Sequence, residues 1–353
     1  KSITHAVDNS PGDSWYTPVV HGDTILVAAG IGYGHLYSFD EYIVVDKSIR
    51  IIGNAAVWDA VVIDVCGQKS NIPNGHAVVA IDGLDPELSN GGWSAGPYYR
   101  DPMNPSTTPP TELVLNVNLP GSVFQGFKLT DSCQDPNIQL IGIEAKGQDG
   151  VQILNNHIVI PGDGKGITVE DCKGPKVDSN KMEVGGSVTK HDKGIALHDC
   201  GMLPKDTKWW GTELRLPQVT NNIVFVQVAS LDNSDAEGIV VCDSPKVYIA
   251  DNTVTVKVGT DAEAMGIKVK DSDYAEVNHN NVTVTLAAQG WARATGIAIR
   301  KSDFSWIHEN TFVVTATVNI DTGGSLAIGI DVKKSDDTRV ESNYGTVTSN
   351  GAG

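Results

Sequence analysis

The sequence predicts an all-β chain wound into one single-stranded, right-handed parallel β-helix (a solenoid) that opens on a short cap helix. Three observations predict it: a Gly-to-Asn repeat of nearly constant spacing, period-two alternation of Ile and Val within each repeat, and a composition of strand and turn formers. The composition is the coarsest of the three. The 353 residues include 37 Gly and only 6% aromatic residues, with much Val, Ile, Thr and Asn, which favours strands and turns over helices. A chain of this length could hold two average domains, but a solenoid escapes that expectation because each coil packs only on its neighbours.

The repeat is the strongest signal. Gly142, Gly166, Gly194, Gly238, Gly266, Gly296 and Gly329 are each followed by Ile, and each unit closes on [Val/Ile]-x-x-Asn at Asn156, Asn180, Asn222, Asn252, Asn280, Asn310 and Asn343. In six of these seven units Gly and Asn are 14 residues apart; Gly194 to Asn222 spans 28, so one insertion over 201–214 restores the register. From each Asn to the next Gly the distances are 10, 14, 16, 14, 16 and 19. Length variation is thus confined to one side of the coil, where loops change without disturbing the stack.

In the unit that starts at Gly266, Ile267 and Val269 alternate with Lys268 and Lys270, and Val282 and Val284 follow Asn280. This reads as two short strands with a turn between them, Ile and Val pointing inward. Strands so brief are marginal alone, but stacked coils bury a continuous apolar column. The Asn at one corner is expected to form an internal ladder. Its side chain tolerates a left-handed turn conformation, and its amide can bond to the equivalent Asn one rung away.

The opening third carries Gly22-Asp23-Thr24-Ile25-Leu26-Val27, followed by Tyr42-Ile43-Val44-Val45-Asp46 and Ile49-Arg50-Ile51-Ile52-Gly53. These stretches resemble the opening coils of pectate-lyase-like β-helix proteins. The resemblance implies a cap helix, here Ser2 to Asn9, and it covers residues 1–66 and the repeats to 349. It is specific for architecture rather than activity. The chain therefore reads as a single β-helix domain over 1–353, with cap and first coils at 1–66, an irregular insertion at 67–122, and regular coils at 123–349 that resume near Lys128. From Gly67 to Thr111, a span with Gly91-Gly92-Trp93 and a Pro-rich run, no clean alternation is visible. After Asn343 only Thr346-Val347-Thr348 is strand-like and no polar cap follows, an end that either stacks on another molecule or is closed by the tail itself or by a further C-terminal segment.

Charge and cysteine usage narrow the partners. With 43 acidic against 26 basic residues and a formal charge of −17, no nucleic-acid partner is expected, because phosphate binding needs a basic surface. No apolar run reaches the roughly 18 residues of a membrane helix, so no membrane span is expected, and Lys1 in place of an initiator Met reads as a processed or trimmed chain. Cys66, Cys133, Cys172, Cys200 and Cys242 show no CxxC or Cys/His spacing, so neither a metal nor a cofactor is expected. Cys172 and Cys200 share the seventh place of consecutive units, where later units have Ser244, Ser272, Ser302 and Ser335. At a rung spacing of about 4.8 Å they form either a disulfide or a buried stack of free thiols. Asn281-Val282-Thr283 is a glycosylation sequon beside the ladder.

Two constellations bear on chemistry. If the second and fourth places of a unit face inward, the fifth faces solvent, and that column reads Lys146, Glu170, His198, Cys242, Lys270, Arg300, Lys333. Uronic-acid lyases of the resembled architecture neutralise a carboxylate and remove a proton with Lys, Arg or His on neighbouring coils. The resemblance therefore makes His198, Lys270, Arg300 and Lys333 the candidate catalytic residues, while plain solvation of outward positions explains the same charges. Trp209 and Trp210 on the 201–214 loop, and Trp291 with Arg293, are candidate substrate-binding residues. Flat rings suit sugar stacking or a partner pocket, and equally suit covering the coil's side.

The other polar groups read as structural. Lys190-His191-Asp192-Lys193 looks acid/base-like, yet a tight charged turn before Gly194 explains it without catalysis. Asp163, Asp192, Asp199, Asp243 and Asp271 read as scattered over different phases, which leaves no paired-carboxylate site and no calcium cluster. Polygalacturonase motifs, a Ser/His/Asp elbow and a phosphate loop are absent from the sequence. The first expectation is thus a non-catalytic extracellular or cell-surface structural protein: a self-associating sheath, surface-layer, filament or adhesin subunit. A polysaccharide lyase or epimerase acting on an acidic glycan is the alternative. A phage tail fibre or spike comes third and predicts a trimer with side-to-side contacts.

Overall fold

The computed structural model describes residues 24–28, 37–39, 43–45, 50–54, 61–64, 77–82, 122–130, 140–162, 164–186, 191–202, 215–229, 234–259, 262–318 and 324–351. Among these the chain is all β, in three sheets whose neighbouring strands lie one coil apart. The first sheet has ten strands, from Thr24–Ala28 to Arg339–Glu341; the second has ten, from Tyr37–Phe39 to Tyr344–Asn350; the third has nine, from Ile43–Val45 to Gly324–Lys333. Every pairing is parallel, as in Ala262–Lys270 against Trp291–Arg300. This is the expected parallel β-helix. The expected cap helix at residues 2–9 lies outside the described residues.

One coil shows how the repeat folds. The chain runs along Ala262–Lys270 in the third sheet, turns into Glu276–Asn278 in the first, turns at Asn280 into Asn281–Ala288 in the second, and returns to the third at Trp291–Arg300. A unit therefore holds three strands where the alternation suggested two. The three-residue middle strand is too short to show a period of its own. Ile267, Val269, Val277, Val282 and Val284 are all fully buried, so each coil closes around one apolar layer. In the last described coil Val332, Val340 and Val347 are exposed, the face that a further coil would cover.

Two side-chain ladders run through the corners. Asn156, Asn180, Asn222, Asn252, Asn280, Asn310 and Asn343 form one; the Nδ2 of each of the first six donates to the next Oδ1 at 2.9–3.1 Å. The left-handed conformation, however, belongs to the residue before each ladder Asn: Asn155, Ser179, Asn221, Asp251, His279, Glu309 and Ser342 have φ between 51° and 59°. The other ladder joins the third sheet to the first. The Cys200, Ser244, Ser272 and Ser302 N–H groups donate to the hydroxyls of Ser244, Ser272, Ser302 and Ser335 at 2.9–3.0 Å. Cys172 and Cys200 occupy this column as free, buried thiols, donating to the carbonyls of Glu170 and His198. In the structure the pair is a stack of free thiols, each sulfur directed at a carbonyl.

The Gly that opens each unit is a packing requirement. A Cβ on Gly238 would lie 2.5 Å from the Gly266 carbonyl oxygen of the next coil and collide with Val254. Gly166, Gly194, Gly266 and Gly296 each meet the next Gly carbonyl in the same way. The coils thus approach here closer than any side chain permits.

Several expectations change. The 67–122 span is not wholly irregular, because Ala77–Asp82 is a third-sheet strand pairing with Ile43–Val45 and with Leu140–Lys146. Lys190 lies outside the described residues, but His191–His198 is a strand, not a turn, and buried Asp192 accepts the Gly164 N–H at 2.9 Å. Asp199, Asp243 and Asp271 share one phase with Asp171, each with φ near 50° immediately before the Cys/Ser ladder; Asp163 lies outside the described residues. Shared phase alone makes no site, since the short polar side chain is what the left-handed corner tolerates.

Candidate functional site

The outward face of the third sheet carries the predicted column. Register pairs Lys146 with Glu170, Glu170 with His198, His198 with Cys242, Cys242 with Lys270, Lys270 with Arg300, and Arg300 with Lys333. His198, Lys270, Arg300 and Lys333 are therefore brought onto one face, on coils with Cys242 between the first two. The period-two alternation is responsible: Val269 and Ile299 point into the core, so the residue after each points out.

Most of the cations on this face are engaged by neighbouring acids. Lys146 meets Glu170 at 3.4 Å, Lys270 meets Asp271 at 3.4 Å, and Lys333 meets Asp331 at 2.9 Å. Arg300 reaches Glu263 at 3.4 Å, and Arg293 lies between Glu263 at 3.4 Å and Asp331 at 2.9 Å. Even so, Lys270, Arg293, Arg300, Lys301, Lys333 and Lys334 line an open depression of about 270 Å³. Cations outnumber the acids that pair with them here, a local reversal of the chain's acidic balance.

Toward the earlier coils a second cluster lies on the same face, and sequence reading missed it. Glu237, buried to 7% exposure, sits between Lys193 at 3.2 Å and Lys268 at 2.6 Å. Burial pushes its carboxyl up, but the two ammonium groups outweigh burial and hold it below the ordinary Glu range. Half-buried His198 is held below the ordinary His value, first by burial and then by the Lys193 ammonium, so its imidazole is neutral at neutral pH. Burial raises the Cys242 thiol despite nearby lysines. Aligning the units on their Gly would have shown the triad's signal: Lys193 and Glu237 both directly precede it, and Lys268 follows two places after it.

The aromatic candidates divide. Trp291 is half-exposed at the start of the strand that carries Arg293, but Arg293 is turned to its two acids. Trp209 and Trp210 lie outside the described residues. Asn281 of the sequon is exposed.

A family model described as "Periplasmic copper-binding protein (NosD)" matches residues 130–344, more than half of the chain. Copper takes thiolate, thioether and imidazole donors. Among the described residues no group of three His, Cys, Asp or Glu side chains is placed to hold a metal ion, and the buried Cys172 and Cys200 thiols are directed at carbonyls. These residues do not fit the ion. No helix of the described residues is long and apolar enough to cross a membrane.

No curated protein is a significant match in sequence. Among solved structures, the chain is similar to the A-module of the Azotobacter vinelandii mannuronan C-5 epimerase AlgE6, at 12% identity and a TM-score of 0.34, covering 99% of this chain and 94% of that one. A periplasmic alginate epimerase, AlgG, matches at 12% identity and 0.30, covering 98% and 83%. The Dettilon tailspike protein matches at 11% and 0.32, covering 87% and 61%. Likeness this distant bears on neither activity nor substrate. The match to the family model, with the solenoid and its two ladders falling largely within it, places the chain in the NosD family of periplasmic copper-binding proteins by description.

Proposed function

We propose that this chain is a non-catalytic β-helix protein working outside the cytoplasm as a structural or surface subunit. The supporting observation is the state of the outward column: Lys146 and Arg300 pair with an acid of a neighbouring coil, and Lys270 and Lys333 with an acid of their own, so the column's cations are engaged in ion pairs within the protein itself. The family's description as periplasmic supports the location. Electron microscopy over a concentration series, run beside incubation with alginate and pectin, tests the reading. Filaments, sheets or large oligomers without released unsaturated uronates are expected. A monomer at every concentration that releases ultraviolet-absorbing uronates defeats it, and a trimer joined side to side favours a spike.

A second reading, a lyase or epimerase on an acidic glycan, is favoured by the cationic depression and by His198 held neutral. A neutral imidazole can accept a proton while cations neutralise the adjoining carboxylate. On this reading Lys270→Ala with Arg300→Ala abolishes turnover; activity surviving both removes the column as its site.

A further inference from the structure

The corner that joins the third sheet to the first carries aromatic residues that the fold does not call for. Two places after the Cys/Ser ladder position, φ is positive at Gly150 (68°), Gly174 (58°), Lys246 (59°), Tyr274 (58°), Phe304 (56°) and Asp337 (51°). Glycine takes this conformation freely, whereas a bulky side chain in it is strained. Tyr274 and Phe304 nonetheless stand there half-exposed, at 54% and 48%, their rings stacked at 5.1 Å across adjacent coils. Two residues beyond Phe304, Trp306 is 37% exposed and stacks on His308 at 3.8 Å. Three partly exposed rings thus gather on two coils.

Carboxylates held in hydrogen bonds stand beside them along the chain, Asp273 and Asp303 held by backbone N–H groups and Glu276 by a side-chain amide. Asp273 accepts the Asp303 N–H at 2.8 Å, Asp303 accepts the Asp336 N–H at 2.7 Å, and Glu276 accepts from Asn278 Nδ2 at 2.7 Å. We propose that this corner is a binding site for a neutral saccharide. Trp306 has the Arg339 guanidinium 5.5 Å over its ring as well as His308, and Lys246 Nζ lies 5.9 Å over Tyr274. It is therefore the exposed remainder of Tyr274 and Phe304 that offers apolar surface to a sugar's C–H groups, at little entropy cost. The carboxylates accept from its hydroxyls, and because Asp273, Asp303 and Glu276 outnumber Lys246 and Arg339 at the rings, they disfavour a uronate. A strip three rings wide falls far short of the roughly 800 Å² per partner that a stable dimer buries, which favours a small ligand over a second copy of the chain.

Native gel electrophoresis through galactomannan, hydroxyethyl cellulose, starch or alginate tests the site, with Tyr274→Gly/Phe304→Gly as the variant. The expected result is retardation by at least one neutral polymer, weakened tenfold or more in the variant. The variant's thermal midpoint should stay level or rise, because glycine is what the coils at Gly150 and Gly174 carry at this place. A flat response across the neutral polymers, or retardation unchanged in the variant, overturns the proposal. So does a sedimentation coefficient that falls in the variant, which would make the corner an interface between copies. Lys270→Ala/Arg300→Ala, run alongside, reports on the third-sheet face alone, so failure at the corner is separable from failure of the functional reading.

Discussion

Asn252 donates twice to the Oδ1 of Asn280, from its own Nδ2 at 2.9 Å and from its backbone N–H at 3.0 Å. Asn280 in turn donates through Nδ2 to the Ile249 and Asn278 carbonyls and to Asn310 Oδ1. Replacing Asn280 with Leu strands the Asn252 backbone N–H in a dry corner, although Asn252 Nδ2 keeps the Val219 and Ala250 carbonyls. It also takes a donor from the Ile249 and Asn278 carbonyls; each unsatisfied group costs about 1–3 kcal/mol. A loss on the order of 3 kcal/mol is expected in urea unfolding. The exposed neighbour Asn281→Ala should move the midpoint by no more than about 0.5 kcal/mol.

The ladder was legible because one residue type does one job seven times. Its left-handed partner was not: Asn155, Ser179, Asn221, Asp251, His279, Glu309 and Ser342 have the same φ region but no common side chain, so no sequence period marks them. The outward column was legible from alternation alone. Its neutralisation was not, because Glu263 reaches Arg293 and Arg300 across a return loop whose length varies from coil to coil. The Lys193–Glu237–Lys268 triad shows the same limit, since it depends on three successive coils aligned at once.

The Gly column makes a sharper mutational statement than any side chain. Gly238→Ala puts a methyl group 2.5 Å from a backbone oxygen that cannot retreat without opening the stack. A cost of about 3 kcal/mol or more, or failure to fold, is expected. Gly162→Ala, with open space at the Cβ position, is the control and should leave the thermal midpoint in place.

The buried triad should appear in the acid limb of stability. Glu237 has its carboxyl held below the ordinary Glu range in the folded chain, so the unfolded state takes up the proton first as pH falls. Its contribution is fully present above the ordinary Glu value, near 4.5, and is lost as pH drops from there through the folded pKa. Glu237→Gln leaves Lys193 and Lys268 facing each other and should cost on the order of 3 kcal/mol at pH 7. The gap between the two proteins should narrow below about pH 4.5 when thermal midpoints are compared; a gap that stays constant to pH 3 would show that the carboxylate charge is not what the site stabilises.

The thiol stack makes the last prediction. Burial pushes the Cys200 thiol up to about 12 and the Cys172 thiol higher still, so at pH 8 neither offers a thiolate to a reagent. In a Cys66→Ser/Cys133→Ser background, the partly exposed Cys242 should be the first to react with a disulfide reagent. Cys172 and Cys200 should react only on unfolding. Cys200→Ser should be nearly neutral, because Ser244 shows the geometry one coil on: its hydroxyl donates to the Cys242 backbone carbonyl at 2.8 Å while accepting the Cys200 N–H at 3.0 Å. Cys200→Val removes the thiol that donates to the His198 carbonyl at 3.3 Å, at a cost of about 0.5–1.5 kcal/mol. If Val were tolerated as well as Ser, the column would be holding the corner by volume alone, and the second ladder would not be a hydrogen-bonded one at this end.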